Sequence, residues 1–228
     1  MNIEPFRPVR GIGVAASVLI GLQAVLSILD GISSQRTADV VKAYAEGNAT
    51  MEDARAADAF TLLVAIPTMF VTIASGVTFI VWIYRSRRNA ERVTYGAEHR
   101  HGRGWVIGSW ITPIVGWWFP YQIVQDVWRS FDPAQQDRPL QARDKNGFLT
   151  AWWTAFLLMS WGDRVVMRLV LRDDADLDTV ATATWVTTIV TIIAAVLAVV
   201  LIKRLTDLQD QTRPQEFSGP VPVHVPGA

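Results

Sequence analysis

The sequence predicts an all-α integral membrane protein: four transmembrane helices plus a proline-broken helical segment, re-entrant or interfacial, with five full spans as the alternative. Three observations carry this. Four long apolar runs, residues 11–29, 59–84, 148–171 and 180–202, approach or exceed the roughly 20 helical residues that cross a bilayer's hydrocarbon core. Half of the 228 residues are apolar and only 18% are charged, against about 25% in soluble domains, so the polar surface of a soluble fold is missing. The net charge of zero also hides a segregation of basic and acidic residues into different loops, which speaks to topology rather than to partners.

Arg7 and Arg10 precede the first run as in a secretory signal. The run is long, however, and Leu29-Asp30-Gly31-Ile32-Ser33 offers no small-x-small cleavage site, so an uncleaved anchor helix is expected. Residues 34–58 are expected to form an amphipathic helix, because Val40, Val41, Tyr44 and Ala45 share a helical face. After the second run come Arg85, Arg87, Arg88, Arg92, Arg100 and Arg103, opposed only by Glu91 and Glu98, which places this loop in the cytoplasm. The acidic stretch 34–58 then lies outside, and Arg7 and Arg10 return to the inside.

Residues 104–131 are apolar enough for a fifth crossing but are interrupted by Pro113, Gly116 and Pro120. If they crossed, the acidic turn Asp173 to Asp178 would face the cytoplasm and Lys203-Arg204 the outside, against the charge rule. Trp105 to Phe119 is also only about 22 Å of helix, short of the roughly 30 Å core. The segment is expected to break at Pro113 and Pro120, where backbone donors are lost, and to be covered by the other helices. After Pro120, one stripe holds Ile123, Val124, Val127, Trp128 and Phe131 and another Gln122, Gln125, Asp126 and Arg129, the pattern of an interfacial helix. Residues 1–206 thus form a single membrane helical domain, and 207–228, with Pro214, Pro220, Pro222 and Pro226, a disordered tail. Both termini are expected in the cytoplasm of a multi-pass inner-membrane protein.

Trp82-Ile83-Tyr84-Arg85-Ser86-Arg87-Arg88-Asn89-Ala90, then Gly104-Trp105-Val106-Ile107-Gly108-Ser109-Trp110-Ile111-Thr112-Pro113, Trp118-Phe119-Pro120 and Asp126-Val127-Trp128-Arg129 resemble an actinobacterial membrane-protein family, domain of unknown function 4328. The resemblance covers roughly residues 60–205. It implies a bacterial inner-membrane protein and brings no activity with it.

Ionisable groups inside a span are costly and therefore candidates for function. Asp163, Arg164 and Arg168 interrupt the third full span, either as a local ion pair or as a polar intramembrane site to which Asp126 could contribute as a gate. Arg85, Arg87, Arg88 and Arg92 could contact anionic lipid. Cysteine is absent, which excludes disulfides and thiolate chemistry. His99-Arg100-His101 lacks the further ligands of a metal site. No catalytic constellation, metal, cofactor or nucleic-acid partner is expected. The first functional expectation is a membrane scaffold or accessory subunit, with the bilayer, an unknown membrane protein or a second copy as partner. The alternative is a small channel or transporter with its site near Asp163 and residues 104–131. A cavity reaching Asp163 and closed from below by the broken segment favours transport; a dry, packed bundle favours the scaffold.

Overall fold

The computed structural model describes residues 6–94, 98–172 and 176–212. Among them there are six α-helices and no strand: α1 (Arg10–Ala45), α2 (Met51–Val93), α3 (Trp105–Ile111), α4 (Phe119–Phe131), α5 (Gly147–Val170) and α6 (Leu177–Thr212). Three of them, α1, α2 and α6, are long and apolar enough to cross a membrane. The 24 residues of α5 make about 36 Å of helix, but Asp163, Arg164 and Arg168 dilute its apolar character.

The apolar runs understate the helices. At 36 and 43 residues, α1 and α2 are about 54 and 64 Å long, well beyond the roughly 30 Å core. Stretch 34–58 is helical apart from one turn: α1 continues to Ala45 and α2 starts at Met51. Neither glycine nor proline interrupts residues 32–45, so the change from apolar to polar residues ends the bilayer span without ending the helix. Gly47, with φ of 77°, makes the turn. Thr50 and Asp53 then form a reciprocal capping box that opens α2.

The helices form two hairpins, α1–α2 and α5–α6, whose connections lie at the same end of the bundle. α1 packs on both α2 and α6, and α6 also carries α5. The opposite end is closed by α3, α4 and their loops, a platform wedged against α2, α5 and α6. The buried apolar core sits at this end, with Trp82, Val124, Val127, Phe131, Leu149, Leu201 and Leu205 at its centre. Gly13 lets α1 reach it, since an added Cβ would lie 3.2–3.3 Å from Trp82, Ile202 and Thr206. The fully buried Asn89 ties three segments: its amide oxygen accepts from the Arg7 N–H at 2.8 Å, and its NH2 donates to the Arg7 carbonyl at 2.9 Å and to Gln209 at 3.1 Å.

The broken segment departs from expectation in three respects. Pro113 follows the end of α3 at Thr112, as expected, but Pro120 lies in the first turn of α4, where a missing N–H costs nothing. Gly116 makes the reversal between them, and a Cβ there would be 3.0 Å from the Ser109 carbonyl. Finally, α4 is not an interfacial helix with a wet face, because Gln125, Asp126 and Arg129 are 0, 1 and 4% exposed. Loop groups satisfy them: Gln125 donates to the Asn146 carbonyl and Arg129 to that of Asp144. At the C-terminal side α6 runs to Thr212, six residues into the stretch expected as tail. Residues 173–175 of the acidic turn and 213–228 of the tail lie outside the described residues.

Candidate functional site

Between the hairpins lies a cavity of about 590 Å3, walled by α1, α2, α5 and α6. Its floor, toward the platform, is aromatic: Phe79 of α2, Trp110 of α3, and Trp152 and Phe156 of α5. These rings meet edge to face or tilted, with Phe79 and Trp110 centroids 5.6 Å apart and Phe79 and Trp152 5.9 Å apart. Toward the hairpin ends the walls carry two carboxylates, Asp30 of α1 and Asp163 of α5. Asp30 lies beside the Thr68 hydroxyl, close enough to Asp163 for the two charges to interact. Among the described residues no lysine, arginine or histidine lines the cavity.

Helical spacing builds this lining. Gln23, Ser27 and Asp30 follow one another at four and three residues and so share a face of α1. Thr68, Thr72 and Ser75 do the same on α2, and Thr184, Thr187, Thr188 and Thr191 on α6. Most of these hydroxyls are engaged: Thr72 donates to Gln23 at 2.8 Å, Thr188 to the Ser27 carbonyl at 2.9 Å, and Thr187 to the Ala183 carbonyl at 2.9 Å. Thr191, 7% exposed, lines the cavity with its hydroxyl unpartnered among the described residues. Two glycines draw the walls together. Gly31 faces the Trp185 ring at 3.1 Å from an added Cβ, and Gly162 faces Thr187 at 2.7 Å, which brings Asp163 in beside α6.

The residues singled out in the sequence do not form one site. Asp163 lines the cavity and makes no hydrogen bond or ion pair among the described residues, although the charge of Arg164 acts on it. Arg164 instead donates to the Ser160 carbonyl at 3.1 Å, and both it and Arg168 are exposed. Asp126 belongs to the platform, where its carboxylate takes Arg100 Nη2 at 2.7 Å, Nε at 3.0 Å and the Arg100 N–H at 2.9 Å. Asp126 therefore lies away from the cavity and does not contribute to a site with Asp163. Arg87 cannot touch headgroups: it is 2% exposed and bonds Glu91 at 2.5 Å and the His101 carbonyl at 3.1 Å. Arg85, Arg88 and Arg92 are partly exposed.

Beside Arg87 lies His99, 7% exposed, with both ring nitrogens unpartnered. Burial, reinforced by the Arg87 charge, pushes its pKa down to about 4, so the imidazole is neutral at pH 7. His101 stacks on Phe119 at 3.8 Å and bonds Gln122. Among the described residues no three His, Cys, Asp or Glu side chains are grouped to hold a metal ion.

Asp30 is the cavity residue that sequence reasoning missed. It was read only as the end of an apolar run, yet the Gln23, Ser27, Asp30 spacing was a signal that could have found it.

Searches of curated proteins and of solved structures gave no match. A family model described as a domain of unknown function (DUF4328) matches residues 45–208, which hold α2 to α5, most of α6, the platform and Asp163, while Asp30 lies upstream. That span is well over half of the chain, and it contains the arginine run, the Gly-Trp block and the spaced prolines. The protein belongs to the DUF4328 family.

Proposed function

We propose that this is a four-span inner-membrane protein, both termini cytoplasmic, that takes a small solute into the cavity between its hairpins and passes it across the bilayer without a catalytic step. The observation that carries the reading is Asp163, an unpaired carboxylate in the apolar zone, facing a cavity whose aromatic floor includes Trp110 of the broken segment. A purely structural acid would be paired. Four spans are supported by entry and exit of the broken segment at one end, where Glu98 accepts from the Leu140 N–H at 3.0 Å. The shared bonding of Arg7 and Gln209 to Asn89 supports both termini lying on one side. The arginine run supports assigning that side to the cytoplasm, and the partly exposed Arg85 supports a contact with anionic lipid there.

The scaffold reading keeps one observation. Val41, Tyr44 and Met51 are exposed on the part of the α1–α2 hairpin that outruns the bilayer, where they offer a partner an apolar surface.

Because the chain has no cysteine, single-cysteine variants report access directly. Ser27→Cys and Thr191→Cys are expected to react with a membrane-impermeant thiol reagent from outside whole cells. If both stay inert in folded protein, the cavity is dry and the scaffold reading prevails. An alkaline phosphatase reporter fused after Ala228 should be inactive; strong activity there overturns the four-span topology.

A further inference from the structure

The cavity selects its ligand by three properties acting together, and we infer that it binds a lipophilic organic cation: an amine or onium ion with an apolar body of drug-like size. This rests on the solute-binding reading above. The first property is charge. Asp30 and Asp163 line one space that no basic side chain enters among the described residues, so an anion would face two carboxylates in a medium of low dielectric. The second is size. About 590 Å3 falls in the range of roughly 300–1,000 Å3 that encloses drug-sized ligands, far more than a bare metal ion fills. The third is the floor. Phe79, Trp110 and Trp152 present aromatic surface to the same space, which suits apolar groups and, through the negative ring faces, a positive one.

An inorganic ion would need a tight shell of oxygens. Here the hydroxyls beside the carboxylates are turned to helix carbonyls, Thr68 to Val64 and Thr187 to Ala183. Thr191 is the exception: 93% of its surface is buried, its hydroxyl has no partner among the described residues, and it lies on the cavity wall. A ligand whose apolar body reaches the floor brings its polar substituents past this hydroxyl. The charged centre is thereby placed between Asp30 and Asp163 and the apolar body against the rings, so both ends of the ligand are recognised.

The test uses two ions of one shape and opposite charge, tetraphenylphosphonium and tetraphenylborate, titrated into the full-length protein in lipid nanodiscs. Tryptophan fluorescence and calorimetry read binding. Saturable binding of the phosphonium at one site per chain is expected, with the borate neither binding there nor competing. Asp30→Asn and Asp163→Asn should each weaken binding at least about tenfold, the double variant should abolish it, and Trp152→Leu should weaken it with the carboxylates intact. Unchanged thermal stability in the asparagine variants separates lost binding from lost fold; should an Asn variant melt early, Asp→Glu at the same position must retain phosphonium binding. Equal uptake of both ions, or phosphonium binding indifferent to the Asp variants, overturns the inference. So does protection of Thr191→Cys from thiol reagent by sodium alone. If Thr191→Cys is reactive and the phosphonium fails to bind, the inference falls while the solute-binding reading stands. If Ser27→Cys and Thr191→Cys are both inert, both fall.

Discussion

Gly162 of α5 lies against Thr187 of α6 with no space between them: a Cβ at 162 would sit 2.7 Å from the Thr187 hydroxyl and 3.0 Å from its methyl group. Thr187 cannot turn away, because its hydroxyl donates to the Ala183 carbonyl and its β-branched side chain is stiff about χ1. Gly162→Ala should therefore lower the melting temperature in detergent, at a cost of about 1–3 kcal/mol. Adding Thr187→Ala in the same chain should restore most of the loss. Strict additivity of the two changes would show that this contact is not what sets the helix spacing.

Asn89 serves an N–H and two acceptors at once. Asn89→Ala removes the acceptor of the Arg7 N–H and loosens the buried Gln209, so a destabilisation of about 1–3 kcal/mol is expected. Asn89→Asp should be worse than alanine, since a carboxylate would face the Arg7 carbonyl and the Gln209 oxygen without a proton to offer. Denaturant titration of the three proteins ranks them; aspartate ranking above alanine would refute the donor assignment.

The Arg100–Asp126 pair is asymmetric. The aspartate side chain is 2% exposed and the arginine 27%. Arg100→Ala leaves a carboxylate buried with only a backbone N–H, at a cost of about 3 kcal/mol. Asp126→Ala leaves a guanidinium that can turn to water, and should cost clearly less. Thermal melts of both variants would contradict this if Asp126→Ala were the more damaging.

His99 makes stability depend on pH. In the folded protein it titrates at about 4, against 6.5 in an unfolded chain. Between those values the unfolded chain holds a proton that the folded one lacks, so acidification favours unfolding. Stability from this group is whole above pH 6.5 and falls as pH drops toward 4. His99→Leu should be at least as stable as the parent at pH 7, because no hydrogen bond is lost. Melting temperatures from pH 7.5 to 4.5 should diverge progressively in favour of the leucine variant below 6.5. Parallel curves would rule the imidazole out as the cause.

Helices announced by long apolar runs were legible in the sequence, and so was the break at Pro113, because length and missing donors act locally. What escaped depends on neighbours. Gln125, Asp126 and Arg129 read as a wet stripe because nothing in the chain shows that the loops after Thr94 and after Phe131 would fold over them. Arg87 read as a surface charge until Glu91 and the His101 carbonyl enclosed it. Asp163 was visible as a charge in an apolar run, whereas Asp30 became part of the same site only when α6 brought α1 and α5 together.

The indole of Trp153 donates to the carbonyl of Trp117 at 3.0 Å, so α5 and the 310 turn after Pro113 move as one mechanical body. Ile111, Ile114, Trp117 and Trp118 on and beside that turn point outward, 43–76% exposed, and tryptophan favours the headgroup level of a bilayer. On the proposed reading of a solute-passing membrane protein, a swing of α5 that widened the space in front of Asp163 would drag these four side chains through the lipid. The work of opening is thus shared with the membrane, and its thickness and order enter the equilibrium directly. On that reading the chain is expected to open to different extents in bilayers of different acyl length, with the surrounding lipid acting as a control on access and not merely as a solvent.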